Sequence, residues 1–186
     1  MKKGFVIFLA VLLLCGCSGA TDEFDRAMRV RTGLLNAKGC SFEATVTADF
    51  ADQTYTFAMA CRSDEEGNLE FEVLEPDYIS GISGTIDFEG GKLTFDDTAL
   101  AFALQTDGFL SPVSAPWVLV RALRAGYVRY CGQEEDLLRL TVDDSYEDDA
   151  LTLDIWINGQ GQPEQADIYE NNRRILSLMI RNYQLL

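Results

Sequence analysis

The chain of 186 residues contains no histidine. That removes Ser-His-Asp and Cys-His nucleophilic catalysis, histidine-containing zinc sites and any imidazole pH switch. Basic residues are scarce, with 15 Lys plus Arg against 30 Asp plus Glu and a formal charge of -15. Sequence-general nucleic-acid binding needs a basic face for phosphates, so DNA and RNA are excluded as partners. None of the five cysteines forms a CxxC pair, which argues against a structural zinc site. The longest apolar run, Phe5 to Leu14, falls short of the roughly 20 residues that span a bilayer as a helix. No repeat and no low-complexity stretch interrupts the chain. With 47% apolar residues, a chain of this length buries roughly two-thirds of its unfolded surface around one core.

The amino terminus carries an address. Lys2 and Lys3 precede the apolar run, and Cys15-Gly16-Cys17-Ser18-Gly19 follows it, the order of a secretory signal. Leu14-Cys15-Gly16-Cys17 resembles the lipobox of bacterial lipoproteins. That resemblance implies cleavage after Gly16 and diacylglyceryl transfer to the Cys17 thiolate, and two acyl chains hold a protein to a membrane where one is marginal. The expected organisation is a signal peptide over 1–16, a lipidated cysteine and short tether over 17–21, and one domain over 22–186. Removing residues 1–16 takes away Lys2 and Lys3 and no acid, leaving a net charge of -17. Anionic headgroups repel such a domain, so attachment rests on the lipid.

Two helices are expected. Thr21 with Asp22 and Glu23 starts the first, Phe24, Ala27, Met28, Leu34 and Leu35 form its packed face, and Gly39 is its left-handed cap. The second follows Ser111-Pro112, with Ser114 as cap, Trp117 to Ala125 as body, Gly126 as stop, and Arg121 and Arg124 reaching solvent. Nearly everything else alternates with period two. Phe42, Ala44, Val46, Ala48 and Phe50 alternate with polar partners, as do Tyr55, Phe57, Met59 and Cys61 on the return strand. Similar runs continue to Tyr183, giving about ten strands, too many for a parallel α/β sheet.

The order of elements, with Leu74-Glu75-Pro76 closing the third strand, Ile79-Ser80-Gly81-Ile82 in a short connection, the Ser111-Pro112 helix and Gly159 to Ala166 before a penultimate strand, resembles the outer-membrane lipoprotein carrier superfamily, the LolA and LolB-like proteins. The resemblance implies a mainly β (α+β) fold: a strongly curved antiparallel sheet, an incomplete barrel, with an N-terminal helix and a lid helix over an apolar hollow. It also implies binding of acyl chains, lipids or partner lipoproteins, without a cofactor. The lipobox departs from a soluble carrier and points to an anchored relative, extracytoplasmic and held to the cell membrane, or to an outer membrane where the host has one.

A ligand hollow would be lined by Phe42, Val46, Phe57, Met59, Phe71, Phe95, Phe102 and Leu140 of the sheet and by Trp117, Leu119 and Val120 of the lid. The same residues equally make a dry core. Pairing Phe50 with Tyr55 places Cys40 opposite Glu65 and Ala44 opposite Cys61, too far apart for a hairpin disulfide, so Cys40, Cys61 and Cys131 read as small buried thiols. Asp143 to Asp149 lacks calcium-loop spacing and reads as a solvated hairpin loop. Alternating acids on strands read as solvent-side positions, with no catalytic carboxylate pair. Two functions follow: a non-catalytic, membrane-anchored protein that binds a lipid or lipoprotein moiety on its concave face, or a structural or regulatory envelope lipoprotein acting by protein contact alone.

Overall fold

The computed structural model describes residues 19–49, 53–95, 98–102, 105–106, 109–147 and 150–186. The lipobox with Cys17, and Asp96, Asp97, Asp148 and Asp149, lie outside the described residues. Helix α1 (Gly19–Asn36) leads into strands β1 (Gly39–Asp49), β2 (Thr54–Asp64) and β3 (Leu69–Glu75). Shorter strands follow: β4 (Ser83–Ile86), β5 (Gly91–Phe95), β6 (Thr98–Phe102), β7 (Gln105–Thr106) and β8 (Phe109–Leu110). Helix α2 (Ala115–Ala125) then precedes β9 (Tyr127–Glu134), β10 (Leu137–Asp143), β11 (Thr152–Ile157), β12 (Pro163–Glu170) and β13 (Arg173–Leu185).

Eleven strands form one open antiparallel sheet in the order β6-β5-β4-β3-β2-β1-β13-β12-β11-β10-β9, and β7 and β8 pair separately. The last strand lies between β1 and β12, joining the amino-terminal meander to the carboxy-terminal one. Period-two alternation gives the sheet one apolar face, and α2 lies against it, touching β2, β10 and β13. Ala115 to Val120, Ala122 and Leu123 are all buried, because α2 is apolar over more than one stripe.

Several local expectations shift. The first helix starts at Gly19 and ends at Asn36, so it begins two residues ahead of the expected Thr21. Gly39 does not cap that helix; it opens β1 at φ 137, and a Cβ there would meet the Ser63 carbonyl at 1.9 Å. The packed stripe of α1 runs through Ala27, Val30, Arg31 and Leu34, while Phe24 and Leu35 remain 46% and 49% exposed. An arginine inside the stripe disguised its phase. The first hairpin pairs Ala48 with Tyr55, Ala44 with Met59 and Cys40 with Ser63. This two-residue slip from the expected register keeps every side chain on its face. Cys40 and Cys61 become diagonal neighbours, both buried and free. The Ser114 hydroxyl donates to the Ser111 carbonyl at 2.6 Å rather than capping α2.

Candidate functional site

Two cross-strand rows describe the concave face. Leu140, Ile155, Ala166, Leu178, Val46 and Phe57 pair successively across β10, β11, β12, β13, β1 and β2, and every one is buried. The second row runs Phe42, Cys61, Phe71, Gly84, Leu93 and Leu100 across β1 to β6. Its first three members are 3%, 5% and 4% exposed, whereas Leu93 is half-buried and Leu100 is 61% exposed. Ile79 and Ile82 pack at the same margin, also half-buried. Coverage of the concave face therefore fades towards β6.

Of the eleven residues expected to line a hollow, Phe42, Val46, Phe57, Met59, Phe71, Leu140, Trp117, Leu119 and Val120 belong to a single buried cluster. Phe95 and Phe102 pair with Thr98 and Gly91 through the backbone of β5 and β6. In the central part the sheet and α2 pack side chain to side chain. Gly84, whose added Cβ would meet the Phe71 ring at 2.8 Å and the Lys92 carbonyl at 2.3 Å, lets β4 lie flush against that ring.

The helix is held from both sides. The Arg31 guanidinium donates to the carbonyls of Leu123 at 2.9 Å, Ala122 at 3.3 Å and Gly126 at 2.6 Å. Its charge meets the negative end of the α2 dipole instead of a carboxylate, and burial lowers its pKa. Arg124 donates to the Glu65 carbonyl in the β2–β3 turn at 2.5 Å. Arg121 lies 5.4 Å from the Trp117 ring and 5.9 Å from that of Phe88, whose ring meets Trp117 edge-on at 5.6 Å. These two arginines, expected to reach solvent, instead tie α2 to the β2–β3 and β4–β5 turns. The separation of Arg31 from α2 in sequence hid its role, which no local pattern signals.

On the outer face the structure brings two acids together, against expectation. Asp154 and Asp167 are directly opposed on β11 and β12 and only 7% and 4% exposed. Arg139 and the Thr141 hydroxyl donate to Asp154 at 2.8 and 2.7 Å. Arg174 donates to Asp167 at 3.2 Å, and the Ser177 hydroxyl donates to its other oxygen. All four carboxylate oxygens are thus occupied by internal donors, an arrangement for neutralising two buried charges rather than for moving a proton to a substrate. Burial pushes the Cys40 thiol up to about 11 and raises Cys61 and Cys131 as well, so none is a thiolate at neutral pH. No group of three metal-binding side chains occurs among the described residues.

Two surface grooves carry charged side chains at their rims. The one with a volume of about 510 Å³ runs along the outer face of β2 to β5, over Ala60, Arg62, Glu70, Glu72, Thr85 and Lys92. A second, of about 400 Å³, lies where α1 crosses the β11–β12 turn, beside Arg26, Arg29 and Asn158. Charged rims of this kind do not suit an acyl chain. No helix among the described residues is long and apolar enough to cross a membrane.

The fold and site define a class: an open antiparallel sheet with one apolar face, partly stoppered by helices. No family model matches the chain, and no curated protein matches it. Among solved structures it is similar to a LolA superfamily protein from Nitrosomonas europaea, with 10% identity, a TM-score of 0.49, and coverage of 91% of this chain and 94% of that one. It is also similar to a putative outer membrane lipoprotein-sorting protein domain from Vibrio parahaemolyticus (7% identity, TM-score 0.46, 90% and 93% covered). A third likeness is to the lipoprotein LppX of Mycobacterium tuberculosis (9%, 0.41, 87% and 93%).

Proposed function

We propose that this chain is an extracytoplasmic lipoprotein, anchored to the membrane through Cys17, that acts without catalysis by binding an apolar moiety on its concave face. The observation that carries the reading is the uneven cover of that face. Beneath α2 the wall is filled, but Leu93 and Leu100 continue the same apolar row into solvent. An acyl chain or the lipid of another lipoprotein is the ligand chemistry that such a strip accepts, since burying it regains about 25 cal/mol per Å² of apolar surface. Carboxylates engaged by internal donors and protonated thiols support the non-catalytic part. Full-length protein purified in detergent and extracted with organic solvent should release a stoichiometric lipid beyond its own anchor, and a fluorescent fatty acid should compete for the site. Absence of both would contradict the reading.

The second reading, a structural or regulatory envelope lipoprotein working by protein contact, is favoured by the packed interior under α2. Crosslinking in cells would then recover a defined protein and no lipid. The anchor is tested separately: Cys17→Ser should leave the fold intact and release the protein from membranes, and persistent attachment would contradict it.

A further inference from the structure

The grooves of the surface differ in charge. The one along β2 to β5 holds Glu70 and Glu72, and two smaller ones hold Asp64 with Asp87 and Glu75 with Asp77. The groove of about 400 Å³ where α1 crosses the β11–β12 turn is lined by Arg26 and Arg29 and by no carboxylate, in a chain with 30 Asp plus Glu. Arg26 donates to the neutral Gln133 side chain at 2.9 Å, and neither arginine meets a carboxylate within ion-pair distance among the described residues. Asp22 and Asp25 stand one turn earlier on α1, exposed and outside the groove. Glu164, just past the turn, accepts from the Asn158 side chain at 2.9 Å. Much of the remaining wall is apolar, with Val30, Leu138, Ile157 and Leu185, the last 49% exposed.

From this we infer that the groove is a headgroup site for an anionic phospholipid, taken from the leaflet that carries the protein. A guanidinium fork matches two phosphate oxygens at once. Two such forks three residues apart share one helix face and can hold a single phosphodiester, while the apolar wall receives the carbons next to it. Inorganic phosphate would use the arginines but gain nothing from Val30, Leu138 and Ile157. Position favours the lipid as well. Helix α1 starts two residues after Cys17 in the sequence, and Arg26 and Arg29 lie about 10 and 15 Å along it from Gly19 at roughly 1.5 Å per residue. A headgroup of the anchoring leaflet is thus within reach when α1 lies along the membrane surface. The general repulsion of a chain with a formal charge of -15 is screened beyond about 8 Å, so the two arginines act at contact and would turn α1 and the β11–β12 turn towards the bilayer. The source of the lipid rests on the anchoring proposed through Cys17, whereas the anion site rests on the groove alone.

Full-length protein in neutral maltoside micelles, supplied with phosphatidylglycerol and weighed by native mass spectrometry, should keep one such lipid beyond its own anchor. Phosphatidylcholine, whose choline cation would face the arginines, should be retained far less, and inorganic phosphate at millimolar concentration should not displace the bound lipid. Arg26→Gln combined with Arg29→Gln should weaken retention by about tenfold or more. Gly159→Asp supplies a second variant that leaves packing alone, because Gly159 has no positive φ and an added Cβ there meets nothing within 4 Å. It should weaken retention similarly with an unchanged melting temperature. Leu100→Lys, on the concave face, should retain phosphatidylglycerol as wild type does. Undiminished retention in both groove variants, equal retention of the two lipids, or displacement by phosphate would each overturn the proposal. Loss of the lipid in Leu100→Lys but not in the groove variants would also overturn it, while upholding the concave face as the lipid site.

Discussion

From β9 to β13 the apolar face of the sheet is covered, whereas from β4 to β6 that face is left partly open. At the first end α1 and α2 cover the apolar side, and Arg31 pins one helix to the other. Arg129 of β9, Arg139 of β10 and Arg173 and Arg174 of β13 form ion pairs at this end. At the second end the strands have four or five residues, and an apolar row continues into water. Short strands that carry an exposed apolar row are costly to retain unless something occupies that row. The contrast teaches that one end provides stability and the other is available for contact.

Substitutions separate the two ends. Trp117→Asp would bury a charge under the closed end and should cost more than about 4 kcal/mol in denaturant unfolding, enough to leave little folded protein. Arg31→Met removes the donor to three carbonyls at the α2 terminus and should cost about 2 to 4 kcal/mol, with α2 becoming susceptible to proteolysis before β10 to β13. Asp154→Ala leaves Thr141 without its acceptor and Arg139 with Glu134 alone, and should cost about 2 kcal/mol. Leu100→Lys at the open end should change the unfolding free energy of the monomer by no more than about 0.5 kcal/mol. A large loss there would erase the distinction.

A smaller effect is read in the pH dependence. Burial works against the Asp64 carboxylate, but the Asn68 side chain and the N–H groups of Asn68, Glu66 and Gly67 donate to it and hold its pKa below the ordinary carboxylate value. A group depressed in the folded state adds stability above its unfolded pKa and loses it as pH falls through the folded one. Asp64→Asn should therefore narrow the stability difference between pH 7 and pH 3, measured by thermal melts at both values.

The strands were legible because alternation over Phe42 to Ala48 or Leu151 to Ile157 can satisfy only one face of a sheet, and α2 was legible from Pro116 and its dense apolar run. Long-range partnerships were not. Period-two alternation left the first hairpin free to slip by two positions without moving any residue to the wrong face. Asp154 and Asp167 look like ordinary outward acids until the β11–β12 register sets them opposite one another. The expected lining residues were mostly found in one cluster, but the open strip at Leu93 and Leu100 depends on how far α2 reaches across the sheet, which no local pattern encodes.

Hydrogen exchange on the dilute full-length protein in detergent tests the asymmetry most directly. Amides of α2 and β10 to β13 should exchange near the rate set by global unfolding, and those of β4 to β6 much faster, through local opening. If β4 to β6 proved as protected as β10 to β13 in dilute protein, the open end described above would not exist.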